Sequence, residues 1–223
     1  MAVLGVDGWR GRWVGALLDG RGVRLLLLPD ASAVLAVPAV EVVGIDMPIG
    51  LAERGTRACD AAARQRLGRA GSCVFSAPVR AVLATDDYAE ARALSRAATD
   101  PPRAPSAQTF RLVRAIRDLD DALGDPAPER VVEVHPELAF RALDDRVRDP
   151  KVTACGLAQR LAALRGVMDV EEALLAAPPR VPAVDALDAC AAAWSARRVA
   201  DGAAEAVGDG SRDARGRPMR IAW

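Results

Sequence analysis

Long apolar runs are missing from this sequence. Although 51% of the residues are hydrophobic, most of these are Ala, Val and Leu, and stretches such as Leu25 to Leu28 fall far short of the roughly 20 residues that a membrane-spanning helix needs. Met1 to Gly8 lead directly into a strand pattern, with no basic segment, apolar core or small-residue cleavage site, so the expectation is a cytoplasmic protein without a membrane partner. Cysteine is scarce and scattered: Cys59, Cys73, Cys155 and Cys190 form no CxxC pair. With His135 as the single histidine, neither a zinc site nor a disulfide framework is indicated, and the thiols are expected to be reduced and buried. An excess of charge of one sign is also absent, since 30 basic and 30 acidic residues cancel. That excludes a protein held to nucleic acid by bulk charge and moves attention to local patches.

Charge is unevenly distributed along the chain. Between Arg54 and Arg80 six arginines (54, 57, 64, 66, 69 and 80) face one acid, Asp60, whereas carboxylates dominate from Asp118 to Asp149. The first stretch is the candidate phosphate-facing surface.

Short apolar runs at Val3 to Val6, Trp13 to Leu18 and Val23 to Leu28 are separated by glycine-containing turns, which predicts a three-strand antiparallel meander. A short helix is expected over Asp30 to Val37. Val40 to Ile45 is β-branched and wholly apolar except for Glu41 and Gly44, as suits a central strand buried on both faces. A long helical region is predicted from about Ala52 to Leu123, broken at Pro78 and at Pro101 to Pro105, with Ser106 as N-cap of its last helix. Val131 to Val134 forms a fifth strand. A final long helix follows Pro182 and carries Asp185, Asp188 and Trp194, and Pro218 to Trp223 adds a short tail strand. The chain is read as one α/β domain, 1–223, with a helical insertion over about 51–124.

Three strands end in or near an acid: Asp7, Asp46 and Glu133. If strands one, four and five are parallel neighbours, these acids gather at one edge of the sheet, where open α/β folds place their ligands. Asp185 and Asp188, three residues apart, share a face of the last helix, and Ala189 to Ala193 would let that helix sit close to the sheet. Carboxylates brought that close cannot all ionise without a positive charge among them, and oxygen-only donors suit Mg²⁺ or Mn²⁺ rather than zinc. The metal set is Asp7, Asp46 and Asp188, with Glu133 and Asp185 as further catalytic candidates. Two such ions activate water and stabilise the leaving oxygen of a phosphodiester, so phosphoester hydrolysis is the chemistry inferred.

Each residue also has a plainer reading. An acid after a strand can be a turn former, Asp185 can serve the helix N-terminus, and Glu133 can pair with an arginine. Glu137 is expected to cap the helix that follows it. Histidine is the side chain whose unperturbed pKa lies near neutrality, so His135 could position a water or donate a proton, but it is expected to be structural. Lys151 is the only lysine among the 30 basic residues and is a candidate for a compact contact to a phosphate. Trp9 and Trp13, beside Asp7, can stack on a base or pack against the sheet rim.

These motifs together resemble a known family, the domain of unknown function 429, whose bacterial and archaeal members are described as predicted nucleases of RNase H-like fold. The resemblance spans nearly the whole chain. It rests on Gly5-Val6-Asp7-Gly8-Trp9 with Trp13-Val14, on Ile45-Asp46-Met47-Pro48-Ile49-Gly50, and on Cys59-Asp60 through Leu67-Gly68 and Ser72 to Val79-Arg80. Ser106…Gln108, Glu133-Val134-His135-Pro136-Glu137, Lys151…Gly156…Arg160 and Asp185…Leu187-Asp188-Ala189 complete it. It implies an RNase H-like fold: a five-stranded mixed sheet, made of the meander plus two parallel strands, with helices on both faces. In that group the acid of strand one matches Asp7, that at the end of strand four matches Asp46, and that of the last helix matches Asp188. The family often has Tyr where this chain has His135. The insertion carrying Arg57, Arg64, Ser72 and Arg80 is expected to shape the substrate site, with Trp9 and Lys151.

Competing readings are a non-catalytic module that binds nucleic acid or a protein partner, a hydrolase of small phosphoesters or nucleotides, and an ATP-binding protein of the actin and sugar-kinase type. The last requires a second glycine-rich phosphate loop, for which Gly208 to Gly216 lacks the apolar context.

Overall fold

A computed structural model describes residues 1–223. The chain opens with β1 (Ala2–Trp9), β2 (Arg12–Asp19) and β3 (Gly22–Leu28), followed by α1 (Ala31–Leu35) and β4 (Val40–Ile45). Next come α2 (Ala58–Leu67), two 3₁₀ segments, α3 (Tyr88–Ala98) and α4 (Ala107–Leu123). The remainder comprises β5 (Val131–Glu133), α5 (Pro136–Leu143), α6 (Ala154–Arg165), α7 (Val170–Leu175), α8 (Ala183–Ala200), β6 (Ala206–Val207) and β7 (Ile221–Ala222). No helix is long and apolar enough to cross a membrane.

The chain divides into two compact units, the second of which contains the expected insertion. The first comprises Met1–Met47, Pro128–Ala206 and Ala222–Trp223, the second Pro48–Ala127 and Val207–Ile221. The first unit holds a five-stranded mixed sheet of order β3-β2-β1-β4-β5. β1, β2 and β3 pair antiparallel, while β4 and β5 run parallel to β1 and to each other. The meander and the two parallel strands are those the apolar runs predict.

The register of the central strands decides what each residue faces. Gly5 of β1 pairs with Gly44 of β4, and Gly44 pairs with Val132 of β5. Helix α8 crosses this row at close range. A Cβ on Gly5 would collide with the backbone of Ala189, Ala192 and Ala193, and one on Gly44 would lie 2.8 Å from the Ala192 carbonyl oxygen. The helix can approach so closely because its contact face is nearly all alanine: Ala186, Ala189, Ala191, Ala192, Ala193 and Ala196 are buried, and alanine is also the best intrinsic helix former. Since successive residues of a strand point to opposite faces, Asp7 and Asp46, each two residues beyond its glycine, turn toward the α8 side.

The second unit is less regular than the helical region, broken at Pro78 and at Pro101 to Pro105, that is predicted for Ala52 to Leu123. Gly68, Gly71 and Pro78 interrupt it, and from 68 to 87 the chain forms only 3₁₀ segments and loops, as residues that break an α-helical run dictate. The N-cap assigned to Ser106 is present, its hydroxyl accepting from Thr109 N at 3.0 Å. Val79, Val82, Ala91 and Val113 form a core here, with Leu83, Leu94, Ala98 and Phe110 packed against it. The thiols depart from expectation in part. Cys59 and Cys190 are buried, but Cys73 and Cys155 are exposed, because they sit in a loop-like 3₁₀ segment and in the first turn of α6 rather than on a core face.

Candidate functional site

In the first unit, three aspartates from three elements come close enough for their charges to act on one another: Asp7 in β1, Asp46 just after β4, and Asp188 in α8. The geometry follows from the glycine row. Moving two residues along β1 from Gly5 covers about 7 Å, and moving one to two turns back along α8 from its contact with Gly5 covers a similar distance, at about 5.4 Å per turn. Asp7 therefore meets the turns that carry Asp188 and Asp185. The N-terminal end of α8 lies on the acid side, where the helix dipole favours negative charge.

These carboxyls are poorly solvated. Burial, followed by the neighbouring charges of Asp46 and Asp188, pushes the Asp7 carboxyl well above its ordinary value. Asp46 keeps some solvent contact, yet burial and the charge of Asp188 raise it from 3.8 to about 8. Asp188 is 1% exposed and is likewise raised by burial, with Lys151 pulling the other way. Asp185, in the first turn of α8, is half-buried and also raised, chiefly by burial. Like charges held in a low-dielectric setting favour the protonated form in this way.

One cation stands among these acids. Lys151 Nζ donates to Asp188 Oδ2 at 2.5 Å, and its charge also acts on Asp7, Asp46 and Asp185. Burial alone would lower the ammonium pKa, but Asp188, Asp46 and Asp7 outweigh that and raise it. The other oxygen of the pair's carboxylate, Asp188 Oδ1, is buried with no hydrogen-bond partner. The cluster is thus short of positive charge and of donors. Its all-oxygen donor set and this orphaned oxygen fit a hard divalent cation. In the Lys151-held arrangement no three acidic, His or Cys side chains are drawn in to metal-ligand spacing.

The remaining candidates are placed as follows. Glu133 pairs in register with Ile45, not with Gly44, so strand alternation turns it to the face opposite α8. It is buried, and its charge raises Asp46 less than that of Asp188 does. His135 is the N-cap of α5: its Nδ1 accepts from Glu137 N at 3.3 Å. Glu137, expected as the cap, lies in the first turn instead and receives Arg160 Nη2 at 2.6 Å. Trp13 is 2% exposed and part of the core. Trp9 is half-buried with the Arg10 guanidinium 5.7 Å from its ring centroid. The Cys190 thiol, two residues from Asp188, is pushed up to about 12 by burial and that charge.

The arginines expected at a substrate surface belong to the second unit and have internal partners there. Arg57 is 3% exposed. It donates through Nη2 to Asp60 Oδ1 at 2.5 Å and through Nη1 to the carbonyls of Ile49 and Gly50 at 3.3 and 3.2 Å. That burial leaves little of the Arg57 side chain at the surface expected to meet a substrate. Arg64 donates to Val74 O and Ser76 Oγ at 2.9 and 2.8 Å. Arg80 binds Asp120, at 3.0 Å, and Asp213. Ser72 is exposed.

Sequence comparison agrees with these motifs. Residues 5–212 match the family described as protein of unknown function (DUF429). The chain belongs to the DUF429 family. No curated protein and no solved structure matches it.

Within this DUF429 protein, Glu137 and Arg160 were visible as motif residues without an assigned partner. The signal that would have joined them is that both flank the segment carrying Lys151, and that Gly156 and Arg160 stand four apart on one face of α6.

Proposed function

We propose that this DUF429 protein is a metal-dependent phosphodiester hydrolase of RNase H-like fold, acting on nucleic acid or a smaller phosphoester. The observation that carries the reading is the buried, mutually repelling set of Asp7, Asp46 and Asp188 at the carboxyl ends of parallel strands, with Asp188 Oδ1 left without a donor. An arrangement that costs folding stability and is only partly relieved internally, by Lys151, is characteristic of a site that binds something.

Asp7, Asp46 and Asp188 are the residues that would hold Mg²⁺ or Mn²⁺. Such ions, when bound, supply a nucleophilic water and charge stabilisation for the leaving oxygen. The protein's own contribution is positional. The glycine row and the alanine face of α8 fix the three carboxylates relative to one another. Asp185 sits one turn before Asp188, half-exposed, where it can accept a proton from a water at the rim. Lys151 keeps an ammonium at the exposed side of the cluster, where a phosphate oxygen would arrive. Glu133, on the other face of β5, acts on Asp46 through its field rather than as a ligand.

The test is cleavage of single-stranded, double-stranded, hybrid and junction nucleic acids and of a generic phosphodiester, with Mg²⁺ or Mn²⁺, alongside Asp7→Asn. Metal-dependent cleavage lost in the variant supports the reading. Absence of cleavage together with absence of metal binding refutes it and leaves a binding module as the alternative.

A further inference from the structure

The segment that presents Lys151 is built with more care than a surface ion pair requires. Arg160, 3% exposed, donates through Nη1 to the carbonyls of Asp149 and Gly156, both at 2.9 Å, and through Nη2 to Glu137. Gln159 Oε1 accepts from the backbone nitrogens of Arg148 and Asp149 at 3.1 and 3.0 Å, and its Nε2 donates to Asp149 Oδ2 at 2.6 Å. Thr153 caps α6 and donates its hydroxyl to Pro150 O at 2.8 Å. A Cβ on Gly156 would collide with that same carbonyl oxygen, so only glycine lets the helix press against the segment. Lys151…Gly156…Arg160 is thus one device: an arginine tie, a glycine contact and the lysine they aim at Asp188.

The pair it makes is unlike the other buried pairs of the chain. Those use arginine, whose planar fork locks onto a carboxylate: Arg57 on Asp60, Arg160 on Glu137, Arg217 on Asp120. Here the only lysine faces the most buried acid of the cluster. Its own side chain is 43% exposed against 1% for Asp188, and it engages one oxygen while the other stays orphaned. An ammonium on a flexible stem, half in water, leaves its partner at less cost than a buried guanidinium does.

We propose that Lys151 is a tethered counter-cation that occupies Asp188 in the metal-free protein and gives it up when a divalent cation binds, so that lysine and metal compete for one carboxylate. The inference rests on the metal-site reading above and adds a positioning residue to it. The ammonium released in this way stays anchored by the Asp149–Pro150 segment at the mouth of the site.

The experiment is titration of the purified full chain with Mn²⁺, following bound metal by calorimetry and free Mn²⁺ by its paramagnetic resonance, with thermal melts at each endpoint. Wild type, Lys151→Met and Lys151→Arg are compared. Removing the competing charge is expected to tighten Mn²⁺ binding by about tenfold or more, with Lys151→Arg close to wild type. Metal-free Lys151→Met should melt below wild type, and saturating Mn²⁺ should close that gap. A Lys151→Met chain that folds only when Mn²⁺ is supplied supports the proposal equally. Equal or weaker Mn²⁺ binding by a folded Lys151→Met overturns the competition while leaving the metal site standing, as does a variant that Mn²⁺ cannot rescue while wild type binds. Absence of Mn²⁺ binding by wild type and variant alike overturns both.

Discussion

The two units of this chain bury the same residue types to opposite ends. In the second unit every buried aspartate of the polar network has its oxygens satisfied. Asp60 accepts from Arg57 on one oxygen and from Ala77 N on the other. Asp213 accepts the backbone nitrogens of Arg215 and Arg217 on Oδ1, and Leu51 N with Arg80 on Oδ2. Although burial would raise it, these bonds hold the Asp213 carboxyl below its ordinary value. Asp120 draws Arg80, Arg215 and Arg217. In the first unit three carboxylates share one lysine, their pKa values are raised, and one buried oxygen has no donor. A buried acid whose oxygens are all satisfied has its desolvation offset, so that removing its partners is what destabilises the fold, whereas an unsatisfied one marks a place where the fold gives up stability.

That contrast can be broken by substitution. The largest effect is expected at Asp46→Asn, which should cut metal-dependent cleavage by about 10²–10³-fold or more, the scale of removing one preorganised charged group. The same change should stabilise the metal-free protein by about 0.5–2 kcal/mol, the usual exchange of function for stability; chemical denaturation at neutral pH checks it, and a loss of stability would show that the acid is structural. In the second unit the sign reverses. Asp120→Ala strands buried guanidinium groups and should destabilise by about 3–5 kcal/mol, with cleavage per folded molecule unchanged.

Gly5→Ala sharpens the comparison from the packing side. Forcing a methyl group between β1 and α8 should cost about 1–3 kcal/mol and weaken Mn²⁺ binding, because it moves Asp188 away from Asp7; an unaltered affinity would detach the acid cluster from the helix contact. Taken per pH unit, the smallest effect is the pH dependence of stability without metal. Asp46 in the folded state holds its proton from its ordinary 3.8 up to about 8, so over that window the folded state binds more protons than the unfolded one. Stability should therefore fall as pH rises from about 4 to 8, by at most about 1.4 kcal/mol per pH unit for each such proton. Saturating Mg²⁺ or Mn²⁺ should flatten or invert the slope, and melts across that range in chelator and in metal would reveal it.

Much of the first unit was legible in advance. The meander, the apolar fourth strand and the alanine-rich last helix, like the Ser106 cap in the second unit, are local patterns, set by side-chain period and by residues such as Gly and Pro that admit few conformations. Asp7 and Asp46 were legible because each sits near the end of a strand, and Asp188 because it is an acid set among alanines inside the last helix. Glu133 ends a strand just as Asp46 does, and nothing local told it apart. Its exclusion from the α8 face came from a register in which it aligns with Ile45. Likewise, an arginine-rich stretch reads as a basic surface until its carboxylate partners are known. Asp120 and Asp213, which take up Arg80, lie far from it in sequence, and together with Asp60, which takes up Arg57, they turn much of that charge inward.

The sequence by itself determined which segments become strands and helices, and that acids stand at the ends of three of them, because those choices depend on backbone propensity and short-range period. Only the tertiary structure decided that Gly5 and Gly44 would lie in one row beneath α8, which acids that row brings together, and that the single lysine would be held against the one whose second oxygen has no partner. Those outcomes depend on strand register and on close backbone approach between residues distant in the chain, which no local pattern encodes.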